Sequence, residues 1–191
     1  HPNIDTFARD MRYLRSVGVK GVFVEGTLYA GQKWDGELHE LRAYILARLM
    51  WDPDLDWREL RREFCAAYYG QAAGAVMEKY MDDVRQSTVK SGTHCRAEIS
   101  ADGYAWVTPE MTSRWYSILD DAESKADEEH KRPVRISRLH VQFTEAKLTK
   151  DPSKRQALLR KFADDAKESG VIYIGMAPKF LSKWRADQGL D

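Results

Sequence analysis

The segment that most limits the fold is Val19–Val24, within "GVKGVFVEGTLYAG" at residues 18–31. It is short, rich in β-branched residues and apolar at successive positions, so neither face suits water. A strand of that kind belongs in a parallel sheet covered on both sides. Before it, Ile4, Phe7, Met11 and Leu14 follow 3-4-3 spacing, one face of an α-helix. Asn3 or Asp5 is available as its cap and Gly18 as its stop. Helix, glycine and buried strand make the αβ half of a βαβ unit. Val171–Ile174 is the other good strand in the chain. One or two parallel strands form no independent sheet, so the chain is expected to lack N-terminal neighbours. A start at His1-Pro2-Asn3, without Met or a signal peptide, fits a piece of something longer.

The remainder is expected to be helical. Leu38, Leu41, Ile45 and Leu49 share a face of a helix that Pro53 ends. Asp56 opens the next, with Glu59 completing a capping-box-like pair, an apolar stripe Trp57-Leu60-Phe64-Tyr68 and a stop at Gly70. Cys65 falls on the apolar side of that helix. A further helix carries Ala73, Val76, Tyr80 and Val84. Ser87–Val107 is polar and glycine-containing, an extended connection with a short strand near Tyr104-Ala105-Trp106. Thr108-Pro109 starts a helix bearing Met111, Trp115, Ile118 and Ala122. The run from Ala122 to Arg132 is a solvated charged end. Pro133 starts a helix with Ile136, Leu139, Phe143 and Ala146, and Asp151-Pro152 starts another with Leu159, Phe162 and Ala166, ending at Gly170. A short helix with Phe180, Leu181 and Trp184 follows the last strand.

Composition removes several function classes. The 191 residues suit one medium domain or two small units, and 43% hydrophobic with 31% charged residues is globular. Thirty Lys+Arg against thirty Asp+Glu leave a formal net charge of +0, so no basic field points to nucleic acid or an anionic membrane. No apolar stretch approaches the roughly 20 residues a bilayer span needs. None of the five histidines pairs with another ligand at metal-binding spacing, and His94-Cys95 are adjacent, so no metal is expected. No phosphate loop or Ser-His-Asp pattern is present, and no cofactor is expected. Two cysteines make no disulfide framework. The redox compartment stays open, with a secreted or periplasmic parent protein as the expectation.

Glu25, Trp34, "LRAYILARLMWDP" and "LRREFCAAYYGQAA" in this order resemble the domain-of-unknown-function 4838 family. That family is found at the C-terminal side of large proteins similar to (β/α)8-barrel glycoside hydrolases. The order is also similar to the end of the barrel in β-hexosaminidases and α-glucuronidases. The resemblance covers Ile4 to about Tyr80. It implies a chain that is mostly α with minor β. Residues 1–55 would be the last βα unit of a (β/α)8 barrel, incomplete because a full barrel takes about 250 residues. Residues 56–191 would be an α-helical C-terminal domain.

Barrel active sites lie at the C-terminal ends of the strands, which gives the end of Val19–Val24 its meaning. Gly26 allows a sharp turn there, and Glu25 would point into a substrate cleft. Aromatic faces stack on the flat C–H faces of sugars, and carboxylates accept hydrogen bonds from their hydroxyls. Glu25, Tyr29 and Trp34 are therefore the candidate substrate-binding residues, with a carbohydrate or glycoside as ligand. Asp35 or Glu37 is open as a second acid, though both also suit the first turn of the following helix. The resemblance places the catalytic acids on earlier strands, so the chain is expected to contribute to cleft and scaffold without catalysing alone. Its partner would be the preceding barrel segment of the parent chain. The alternative is a non-catalytic helical interaction or carbohydrate-binding module.

Overall fold

The helix signals are largely realised. The computed structural model describes residues 3–24, 33–34, 38–93, 105–174 and 179–190. Among them are α1 (Ile4–Ser16), β1 (Lys33–Trp34), α2 (His39–Trp51), α3 (Trp57–Tyr69), α4 (Gln71–Ser91) and α5 (Pro109–Lys125). These are followed by α6 (Glu128–Leu148), α7 (Pro152–Glu168), β2 (Tyr173–Ile174), β3 (Lys179–Phe180) and α8 (Leu181–Asp187). The protein is mostly helical with a small sheet, as expected.

Capping explains most of the boundaries. Asp56, Thr108, Asp127 and Asp151 each accept a backbone N–H of the first turn of α3, α5, α6 and α7. Glu59 does not reach back to close a box with Asp56; its carboxylate pairs with Arg62 at 2.6 Å. Gly70, at φ 80°, is the single residue between α3 and α4. That left-handed backbone turns one helix directly into the next.

Helices α3, α4, α5 and α6 pack in sequence, and α6 returns against α3 to close a four-helix bundle. Leu60, Cys65, Met77, Tyr80, Trp115, Leu119, Val134 and Val141 fill it. The same core continues into Ile4, Phe7, Leu41, Ile45 and Leu49, so α1 and α2 are joined to the bundle by shared apolar packing. A second core lies on the other side of α6. There Leu139 and Ala146 meet Phe162 of α7, Ile174 of β2 and Leu181 of α8. Helix α6 thus contributes to both cores.

Five expectations are corrected. Residues 19–24 form no strand: Val19, Phe23 and Val24 are exposed, Phe23 at 91%. The parallel position beside β2 is taken instead by β1, with Lys33 opposite Tyr173 and Trp34 opposite Ile174, while β3 pairs antiparallel on the other side. A two-sided apolar strand needs cover and a ladder partner, and here only Val22 is even partly covered. Helix α4 runs on to Ser91, with the Thr88 and Ser91 hydroxyls turned back to the Val84 and Thr88 carbonyls within the helix instead of competing for an extended backbone. Pro133 lies inside α6, which starts at Glu128. Ala105 and Trp106 lie in a turn, and Tyr104 is outside the described residues. The apolar stripe of α3 is rotated by about one position: Leu60, Cys65 and Tyr69 are buried, whereas Trp57, Phe64 and Tyr68 are partly so.

Candidate functional site

Two of the three candidate substrate-binding residues, Glu25 and Tyr29, lie outside the described residues, as do Asp35 and Glu37. Trp34 is placed by its backbone alone, in β1 opposite Ile174. The best-defined geometry near this segment is the point where it enters α2.

Leu38 precedes α2 with φ 58°, a left-handed conformation rare for a branched residue, and it is buried. Burial of the Leu38 side chain holds the turn that starts α2. His39 and Glu40 follow in the first turn, with His39 Nε2 3.1 Å from Glu40 Oε1. Tyr68, from the last turn of α3, lines the same small space as Glu40, and its hydroxyl interacts with the Glu40 carboxylate. Burial alone would raise the Glu40 pKa. The hydrogen bond and charge of His39, together with the Tyr68 hydroxyl, outweigh it and hold Glu40 below the usual carboxylate range. Burial and the neighbouring Glu40 charge push the Tyr68 phenol up. At neutral pH the pair is therefore a carboxylate beside a neutral phenol.

Beside it, the Tyr69 and Ser137 hydroxyls are 3.2 Å apart. Leu38, His39, Glu40, Tyr68, Tyr69, Pro133, Ile136 and Ser137 enclose a space of about 10 Å³. That is room for one water at most and far too little for a sugar ring. The cluster fastens the start of α2 to α3 and α6. Its chemical capacity is positional: it fixes where the chain leaves residues 25–37.

The sequence reading missed His39, Glu40 and Tyr68. The available signal was an ionisable pair in a first helical turn, with a tyrosine on a neighbouring helix end, but nothing local says that they meet. It also missed an open depression of about 320 Å³ lined by Asp120, Glu123, Ser124 and Lys131. The charges there are already engaged. Arg138 bridges Asp120 and Glu123 at 2.6 and 3.3 Å, Arg135 holds Glu123 at 2.8 Å, and Lys131 holds Glu128 at 2.5 Å. Burial shields Cys65 and pushes its thiol up to about 12, so it is no nucleophile while the fold stays closed around it. Among the described residues no His, Cys, Asp and Glu group could hold a metal ion, and no helix is long and apolar enough to cross a membrane.

Comparison with known proteins adds one finding. Residues 1–82 match the family described as Domain of unknown function (DUF4838), in agreement with the resemblance read from the motifs. No curated protein and no solved structure matches the chain.

Proposed function

We propose that this chain is the C-terminal part of a carbohydrate-active, glycoside-hydrolase-like protein, contributing to the sugar cleft and the scaffold but not the main catalytic acids. Residues 1–55 are the last βα unit of a (β/α)8 barrel in this reading, and residues 56–191 the helical domain that carries it. Glu25, Tyr29 and Trp34 are the sugar contacts.

The supporting observation is the arrangement of α1 and α2. Arg12 and Arg15, in the second half of α1, reach Pro53 and Asp54 just beyond α2. The C-terminal ends of the two helices are therefore side by side. The intervening chain must travel back along a 13-residue helix, about 20 Å at 1.5 Å per residue. Six extended residues cover about the same distance, and Val19–Val24 has that length and the apolar character of a barrel strand. In this reading residues 19–24 become the returning strand only beside the preceding barrel segment, and helices joined through such a strand are the repeating geometry of a βα barrel. Tyr13, Val17 and Trp51 are exposed at this end, Trp51 at 93%, and Phe23 is exposed further along the chain. In this reading they face the preceding barrel segment of the parent chain. The same exposed side chains also suit the alternative, a helical interaction module.

The sequence upstream of His1 in the parent gene separates the two. Further βα units with a strand-end acidic pair support the barrel reading; a start codon or an unrelated domain directly before His1 favours the interaction module. The sugar contacts are tested by calorimetric titration of the parent protein with a panel of glycosides. Trp34→Ala and Glu25→Gln should each weaken binding about tenfold, roughly 1.4 kcal/mol. Binding unaffected by both substitutions would remove these residues from the cleft. The 191-residue chain alone should turn over no aryl glycoside, since the usual mechanism needs two carboxylates across the bond.

A further inference from the structure

His130 lies in the first turn of α6, and its ring covers the single-residue elbow between α3 and α4. A Cβ built on Gly70 would stand 3.3 Å from both Cγ and Nδ1 of that ring. On its other side, Nδ1 is 2.6 Å from Oδ1 of Asp127. The same carboxylate oxygen accepts the His130 backbone N–H at 3.1 Å as the cap of α6. One side chain thus touches the C-terminal end of α3, the elbow at Gly70 and the N-cap of α6. We propose that His130 is a pH-dependent clasp, closed in its imidazolium form, that ties the α3–α4 elbow to the start of α6.

The chemistry favours the charged ring. An imidazolium presents two N–H donors, whereas a neutral ring has one donor and one acceptor. Asp127 supplies a carboxylate, and the Ala67 carbonyl is among the last four of α3, which have no partner within the helix. The hydrogen bond to Asp127 raises the His130 pKa most; desolvation opposes it, and the Asp127 and Glu129 charges with the Ala67 carbonyl add to it. The hydrogen bond from His130 correspondingly holds Asp127 below its usual range. The other charges on this turn, Glu128 and Lys131, are paired with each other. The first turn of α4 carries no acidic residue, and its positive dipole end faces the elbow, so Asp127 and the end of α3 supply the attraction.

A raised folded pKa fixes the direction of the effect. The clasp contributes fully below the ordinary histidine value, about 6.5, and its contribution is lost as pH rises through the folded value. At the acid end it fails when pH falls through the depressed value of Asp127. The closed window therefore lies between the two groups, on the mildly acidic side of neutrality. Tyr68 and Tyr69, which hold Glu40 and Ser137, immediately precede the elbow. Opening the clasp would loosen the helix end that positions α2.

Histidine C2–H resonances of the 191-residue chain, followed by NMR through a pH titration, give the first measurement. The signal missing from His130→Gln should titrate above the ordinary value and move down in Asp127→Asn. Asparagine keeps the helix cap but not the charge, so the shift reports the ion pair. Urea midpoints at pH 5.5 and 8.5 give the second. The wild type should lose more stability on going to pH 8.5 than His130→Gln does, and Asp127→Asn should behave like His130→Gln. A His130 signal titrating at or below the ordinary value would overturn the clasp. So would the same pH dependence of stability in wild type and His130→Gln.

Discussion

Arg15 spans the gap between the end of α1 and the end of α2, with its two terminal guanidinium nitrogens 2.8 and 3.0 Å from the carboxylate oxygens of Asp54. Their interaction raises the Arg15 pKa and lowers that of Asp54. Both side chains are exposed, so the pair adds little net stability. Its value is geometric: a fork-to-fork contact fixes orientation as well as distance. The two helices are held end beside end, and residues 19–24 leave α1 at that place with Val19, Phe23 and Val24 exposed.

The amides of Val22, Phe23 and Val24 should consequently exchange fast with solvent in the 191-residue chain, far faster than those of Leu41 and Ile45 in α2. A strand that is apolar on both faces and covered on neither has nothing to hold its ladder. Adding the upstream segment of the parent protein should protect the three amides. Hydrogen exchange by NMR measures both states. Strong protection at dilute concentration in the chain alone would show that the strand is complete without neighbours and would remove the main support for the missing barrel.

Phe162 and Phe64 should differ although both are aromatic residues on helices. Phe162 is fully buried, with its ring 5.3 Å from that of Phe143 and 5.4 Å from that of Trp184. Truncation to Ala should cost about 3–5 kcal/mol. Phe64 is partly exposed and stacks on Tyr68 at 4.8 Å, so Phe64→Ala should cost roughly half as much or less. Because α6 contributes to both cores, Phe162→Ala should lower one cooperative transition seen equally by near-UV and far-UV circular dichroism. Two separated transitions would mean that α7, α8 and the sheet unfold independently of the bundle.

Helices were legible where a cap or stop coincided with an apolar stripe. Asp56, Thr108, Asp151 and Gly70 marked boundaries that the structure keeps. The start of α6 was not legible from Pro133, although Asp127 followed by Glu128 and Glu129 is itself a start signal. The charged run hid it, since an acidic first turn and a solvated tail have the same composition. Pro133 sits in the second turn of α6, where it withdraws one backbone donor from the helix ladder. The strand over 19–24 failed for a different reason. A helix satisfies its backbone within its own residues, whereas a strand depends on neighbours that its sequence does not specify. The His39–Glu40–Tyr68 cluster is likewise non-local: its members lie on two helices, and their meeting depends on how α2 and α3 pack. For Glu25, Tyr29 and Trp34, the sequence supplied chemistry suited to sugars and an order of motifs shared with a family, while the described residues add only the backbone position of Trp34.

Gly74 is the position where a small change should have a large effect of unexpected sign. In an exposed helix, Gly→Ala stabilises by about 0.5–1 kcal/mol, because alanine loses less backbone freedom on folding. Gly74 is in the second turn of α4, with helical hydrogen bonding from its N–H to the Gly70 carbonyl at 2.7 Å. A Cβ there would stand 2.4 Å from the Cys65 carbonyl oxygen and 2.7 Å from its carbon. Those are backbone atoms of α3, which cannot move aside as a side chain can. The two helices must separate, disturbing the packing of Cys65 against Met81, whose sulfurs are 4.0 Å apart. Overpacking of this kind costs about 1–3 kcal/mol, enough to exceed the propensity gain. Gly74→Ala should therefore lower the urea midpoint, and so should Ala75→Gly at the exposed next position, by about 1 kcal/mol of lost helix propensity. A second measurement distinguishes the two causes. In a Cys95→Ser background, the buried Cys65 thiol should react faster with a disulfide reagent in Gly74→Ala, because the α3–α4 contact is opened at Cys65. In Ala75→Gly, reactivity should rise only as far as the loss of global stability explains. A Gly74→Ala protein as stable as wild type, with Cys65 still protected, would show that α3 and α4 do not approach this closely.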